Sequence, residues 1–176
     1  MKKTTILLIL MAICNYSFCK DSNVFKTLKS VNVQEIRGDS LVKIDLLQHF
    51  GKKVVILEFW ENWCGPCLMS MPHFKSLKEK FPNDLAIIAI SSDDISKTRL
   101  EINKLSFPII YIHDKDKLIS KLYPHSSIPH SILVDRKGKV LAETMPNFLT
   151  DSQIARAIKG YSVMYLRRLT SYRKTL

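Results

Sequence analysis

The sequence predicts an α/β fold, a mixed central β-sheet with helices on both faces. Three observations lead there. Two runs, KVVILEFW over 53–60 and LAIIAIS over 85–91, are rich in β-branched, aromatic and other apolar residues, as suits strands buried within a core. Helix-periodic segments alternate with the strand candidates. A hairpin signal near the end then adds two consecutive strands, giving the order β-α-β-α-β-α-β-β-α. The 176 residues, 46% hydrophobic and 24% charged, suit one globular domain and are too few for two. Five glycines and seven prolines exclude a collagen-like or low-complexity chain, and the apolar fraction excludes a mainly disordered one.

Taken in order, residues 1–19 read as a secretory signal peptide outside the fold. Lys2 and Lys3 form a basic start, Ile6 to Ile13 an apolar core, and Ser17 and Cys19 small residues at −3 and −1 of a cleavage after Cys19. The uncharged run 4–19 holds 16 residues, short of the roughly 20 a spanning helix needs. An uncleaved anchor and lipid attachment at Cys14 or Cys19 are the alternatives, the latter opposed by bulky Ile13 and Phe18 before the cysteines. Cleavage leaves two of the four cysteines, Cys64 and Cys67, in an oxidising compartment, which excludes a scaffold of many disulfides.

Residues 20–50 carry short mixed segments, of which 40–46 (SLVKIDL) pairs as an N-terminal hairpin, a β-extension to the domain. A Gly51-Lys52 turn precedes the strand 53–60. Helical spacing of Leu68, Met71, Phe74 and Leu77 predicts a helix over 68–81, kinked at Pro72. Asp93 and Asp94 cap a helix running to about Lys104, with Ile95, Leu100 and Ile102 as its apolar marks. A strand over 107–113 and a short helix over 116–122 follow. The segments 131–135 and 139–143 flank Asp135-Arg136-Lys137-Gly138 and form the hairpin. Asp151 opens a last helix with Ile154, Ala155 and Ile158 on one face.

Chemistry concentrates at Trp63-Cys64-Gly65-Pro66-Cys67, where a buried strand gives way to a helix. Free amides and the positive dipole end of that helix favour a thiolate. Cysteines at i and i+3 share one face of the first turn and lie within disulfide reach. Cys64, at the outer end, is the attacking thiolate and Cys67 the residue that resolves the mixed disulfide. Two blander readings stay open: a zinc site shared with two of His49, His73, His113, His125 and His130, and an inert disulfide.

The segment FWENWCGPC, Pro72 five residues after Cys67, and Ile128-Pro129 in SSIPHSILVDRKGKV together resemble the thioredoxin superfamily. More narrowly, they are similar to its exported TlpA/ResA-type thiol-disulfide oxidoreductases, over roughly residues 40–160. The resemblance implies a thioredoxin-like fold and a cis bond before Pro129, which with Ile128, Trp63, Gly65 and Pro66 would meet a substrate strand. It places Glu58 at the buried acid, usually Asp, that shuttles a proton for Cys67; the alternatives are a carboxylate turned to water or paired with Lys75. Trp63 is expected to shield the sulfurs, Trp60 to pack in or beside the core. Ser70 stands where several ResA-type proteins carry Glu, which weakens transfer of the cytochrome c maturation role those proteins have. His130 follows Pro129 where Thr is common; it either tunes the thiolate or simply begins the next strand, the second reading being favoured.

The net charge of +11 first suggests nucleic acid or membrane. The two signal lysines and five cations from Lys159 onward (Arg167, Arg168, Arg173 and Lys174 being the others) supply seven of those charges, leaving 20–158 at +4. The expected layout is a signal over 1–19, one domain over 20–160 and a basic tail over 161–176, which is a solvated end or a contact for anionic lipid or a partner. Nucleic acid is not an expected partner and no cofactor is implied. The function expected is an exported or periplasmic enzyme that reduces protein disulfides through its thiols, resupplied by a membrane electron donor. The competing class is a peptide-holding, chaperone-like module without redox turnover.

Overall fold

The computed structural model describes residues 23–29, 31–50 and 53–163. The expected signal segment, the Gly51-Lys52 turn and the basic residues 164–176 lie outside the described residues.

The described chain begins with a short helix, α1 (Val24–Leu28), capped by the Asn23 side chain on the Phe25 and Lys26 amides. A hairpin of β1 (Val33–Arg37) and β2 (Ser40–Ile44) follows, turning at Gly38. After one 3-10 turn (Leu46–His49) come β3 (Val54–Phe59), α2 (Gly65–Lys80) and β4 (Leu85–Ser91). Then follow α3 (Ile95–Leu105), β5 (Ile110–His113), α4 (Leu118–Leu122), β6 (His130–Val134), β7 (Val140–Thr144) and α5 (Asp151–Ile158).

Seven strands form one sheet in the order β2-β1-β5-β4-β3-β6-β7. The central β3, β4 and β5 run parallel through helical crossovers, while β6 lies antiparallel to β3 and β1 antiparallel to β5. Every residue of β3 and β4 is buried, the reason their sequences are apolar without alternation apart from Glu58 and Ser91. The two faces nonetheless separate by strand parity. Val54, Ile56, Trp60, Leu85, Ile87 and Ala89 pack beneath α2 and α5. Val55, Leu57, Phe59, Ala86, Ile88 and Ile90 pack against α1 and Ile119 of α4. Helices therefore cover both faces, the mixed architecture anticipated from sequence. Gly138 closes the β6–β7 turn at φ +83°, and a Cβ there would lie 2.7 Å from the Asn23 side chain. Glycine is required so that α1 can dock, its Val24 amide donating to the Gly138 carbonyl at 2.7 Å.

Several element details differ from expectation. The strand expected over 107–113 contains only Ile110–His113: Pro108 has no amide to donate, and the Ile109 amide turns back to the Phe107 carbonyl at 2.9 Å. The helix expected over 116–122 starts at Leu118, because Asp114 supplies the capping carboxylate, accepting from the Ile119 and Ser120 amides at 3.2 and 3.0 Å. On α3, Leu100 is 61% exposed and Thr98 occupies the buried position instead. On α5, Ala157 rather than Ala155 joins Ile154 in the core, the i, i+3 pair that faces the sheet. The helix expected from Leu68 begins three residues earlier, with Cys67, Met71, Phe74 and Leu77 as its buried stripe and Pro72 on its exposed side.

Candidate active site

The start of α2 is built by Cys64. Its extended backbone (φ −82°, ψ 94°) makes it the N-cap, and its Sγ accepts from the Cys67 amide at 3.2 Å. Gly65 and Pro66 occupy the first turn, where Pro66 loses no helical hydrogen bond because amides there have no helical partner. A Cβ added at Gly65 would meet nothing within 4 Å, so this edge of the turn is open to an approaching molecule. Cys64 and Cys67 form a disulfide of 2.05 Å with Cα atoms 5.2 Å apart. Cys64 is 4% exposed and Cys67 fully buried. The Cys67 amide and the helix N-terminus favour a thiolate at Cys64 once the bond is reduced.

Glu58 lies in β3 on the strand parity of Val54, Ile56 and Trp60, hence on the face that carries α2. It is completely buried and does not pair with Lys75, which forms an ion pair with Glu79 instead. Oε2 accepts a hydrogen bond from the Ser131 hydroxyl, and Oε1 has no hydrogen-bond partner. Burial holds this carboxyl well above its usual range, and the Ser131 hydrogen bond opposes that shift. Trp60 is buried, its ring edge-on to Tyr111 at 6.2 Å. Burial likewise pushes the Tyr111 phenol upward.

The Ile128–Pro129 bond is cis and leads directly into β6, beside β3. His130 begins β6, its ring stacked on His125 at 5.1 Å and tilted against Phe59. Phe59 belongs to the α1 face, so this ring cluster packs on the side of the sheet opposite α2. Burial first, and His125 second, lower His130 to about 4. Trp63, expected as a shield, is 69% exposed and forms apolar surface next to the cysteines. His49, His73 and His113 are engaged by Gln48, the Leu149 carbonyl and the Asp93 carbonyl. Among the described residues, no group of three or more His, Cys, Asp or Glu could hold a metal ion.

One part of the site was missed from sequence. The Glu61 carboxylate accepts from Ser91 Oγ at 2.6 Å, Ser92 Oγ at 2.8 Å, and the Ser92 and Asp93 amides at 3.2 and 3.0 Å. Its own carbonyl accepts from the Cys64 amide at 3.0 Å, and Asn62 donates to Asp93. The loop entering the cysteines is thereby tied to the loop leaving β4. The only sequence signal was the polar run Ser91-Ser92-Asp93 at the carboxyl end of a buried strand, a usual site position in such sheets.

A dithiol on the first turn of the helix after a central strand, with a cis-proline opening the neighbouring strand, defines a thioredoxin-fold protein with a vicinal cysteine pair. The AhpC/TSA family matches residues 27–143, and the chain belongs to that thioredoxin-like family. The thiol-disulfide oxidoreductase ResA of Bacillus thuringiensis is 36% identical over 101 residues, 55% of this chain; the match spans only 57% of that protein's length. The thioredoxin-like protein YneN of Bacillus subtilis is 31% identical over 134 residues, covering 67% of this chain and 76% of YneN. Among solved structures, a putative thiol:disulfide interchange protein DsbE from Chlorobium tepidum superposes with a TM-score of 0.62 at 25% identity, over 74% of this chain and 95% of that one. Several of these relatives are named thiol-disulfide oxidoreductases, and this chain carries a disulfide-bonded pair of cysteines three residues apart.

Proposed function

We propose that the protein is an exported thiol-disulfide oxidoreductase that reduces disulfides in protein substrates. The observation that carries this is the Cys64–Cys67 pair at the start of α2, with the Cys67 amide on the Cys64 sulfur. In the reduced protein, the Cys64 thiolate attacks a substrate disulfide; one Cys64–substrate S–S bond forms as the substrate bond breaks, and the released thiolate takes a proton from water. Cys67 then gives its proton to the Glu58 carboxylate and attacks the Cys64 sulfur. The Cys64–Cys67 bond forms, the second substrate thiolate leaves, and two electrons have passed to the substrate. The exposed Trp63, Gly65, Pro66 and the Ile128-Pro129 segment receive the substrate chain.

Export follows from reading residues 1–19 as a signal. The working unit is then 20–160, with 161–176 a basic end able to touch anionic lipid, and reduction outside the cytoplasm calls for a membrane electron donor. Among the described residues no helix is long and apolar enough to cross a membrane. Insulin reduction in the presence of dithiothreitol tests the activity: the wild type accelerates it, and Cys64→Ser abolishes the acceleration. A wild-type protein that binds unfolded peptide yet fails to accelerate reduction would instead be a holding module.

A further inference from the structure

The registers of β6, β3, β4 and β5 align Ser131, Glu58, Ala89 and Tyr111 in one row across the sheet. Neighbouring strands lie about 4.8 Å apart, so only Ser131 and Ala89 flank Glu58 directly and Tyr111 is two strands away. Ala89 offers a methyl group. Ser131 is thus the one polar side chain beside the carboxyl in this row, fully buried and 73 residues distant in sequence. Cys64 and Cys67 of α2 and Tyr111 of β5 belong to the same buried cluster; of the other titratable groups on the covering helices, His73 bonds the Leu149 carbonyl, Lys75 pairs with Glu79, and Lys78 bonds the Pro82 and Leu85 carbonyls.

We propose that Ser131 is a positioning residue for proton transfer: by donating to Oε2 it orients the carboxyl of Glu58 and leaves Oε1 as the oxygen that receives the Cys67 proton. This rests on the reading of Glu58 as the proton acceptor. The physical basis is the inequivalence of the two oxygens. A hydroxyl hydrogen bond is stronger to a carboxylate than to a neutral acid, so Ser131 favours the base form in a site where burial disfavours it. It also removes rotational freedom from a buried group that must meet one sulfur.

The test is the pH dependence of mixed-disulfide resolution. Stopped-flow tryptophan fluorescence follows the reaction of reduced protein with a peptide disulfide in wild type, Glu58→Gln, Ser131→Ala and Ser131→Thr. In the wild type the resolution rate rises with pH as Glu58 becomes a base. Ser131→Ala should move that rise upward by about one pH unit, a tenfold slower step below it, while attack by Cys64 is unchanged. Ser131→Thr, which keeps the hydroxyl, should restore the wild-type position. A carbon-13 titration of the Glu58 carboxyl in Ser131→Ala should show the same upward move. If Glu58→Gln abolishes the pH-dependent rise but Ser131→Ala leaves both rise and titration in place, the role of Ser131 is refuted and that of Glu58 stands. If Glu58→Gln retains the rise, both fall.

Discussion

Replacing Glu58 with Gln should change the pH dependence of folding stability in a way a surface carboxylate would not. The wild-type side chain is 0% exposed, with one oxygen bonded to Ser131 and the other without a partner. Its carboxyl is raised well above the ordinary 4.5, first by burial and against the Ser131 hydrogen bond. The folded state therefore keeps a proton that the unfolded chain releases from pH 4.5 upward. Because the unfolded state then binds fewer protons, stability falls as pH rises from there to the folded value, by about 1.4 kcal/mol for each pH unit in that window. Glu58→Gln has the same shape, can still accept from Ser131, and carries no titrating proton. Urea unfolding of the oxidised protein at pH 5, 6 and 7 measures both curves. The difference, variant minus wild type, should grow in favour of the variant with each step until the folded value is passed. A difference that stays constant over this range would refute the assignment of Glu58 as a carboxyl kept protonated by burial.

Two further outcomes follow from the same geometry. Glu61→Ala leaves two hydroxyls and the Ser92 amide without their acceptor, the Asp93 amide keeping Ser91 Oγ at 3.2 Å, and should cost about 2 kcal/mol in urea unfolding; a loss within error of zero would show that the clamp contributes nothing. His130, lowered to about 4 from 6.5, contributes stability that is complete above pH 6.5 and is lost as pH falls toward 4. The acid side of the stability profile should flatten in His130→Gln, and an unchanged slope between pH 6.5 and 4 would exclude His130 as its source.

What could be read in advance divides along physical lines. β3 and β4 were legible because a strand buried on both faces is apolar at nearly every position, leaving a signal interrupted only by Glu58 and Ser91. The cysteine pair was legible because its spacing and the Gly-Pro turn act within four residues. By contrast, β1 (VQEIR) has only two apolar residues, Val33 and Ile36, spaced by three rather than two, and is held by partners at both sides, β2 and the distant β5. Leu100 was misplaced since its helix rotates to bury Thr98, and helical phase on a weakly apolar segment is set by packing. Phe107 and Ile109 read as strand by composition until Pro108 removes the ladder donor.

By itself the sequence determined the class of fold, the location of the redox pair at a strand-to-helix junction, and an acid inside a buried strand. These depend on local pattern: continuous apolar runs, the helix N-terminus and a carboxylate where only apolar side chains surround it. Tertiary structure alone decided that Glu58 meets Ser131, that Glu61 clamps the loop beyond β4, and that His130 stacks on His125 away from the dithiol face. The Glu58–Ser131 contact and the side taken by His130 depend on strand register, and a slip of one residue would turn these side chains to the other face of the sheet, while the Glu61 clamp depends on how two loops meet.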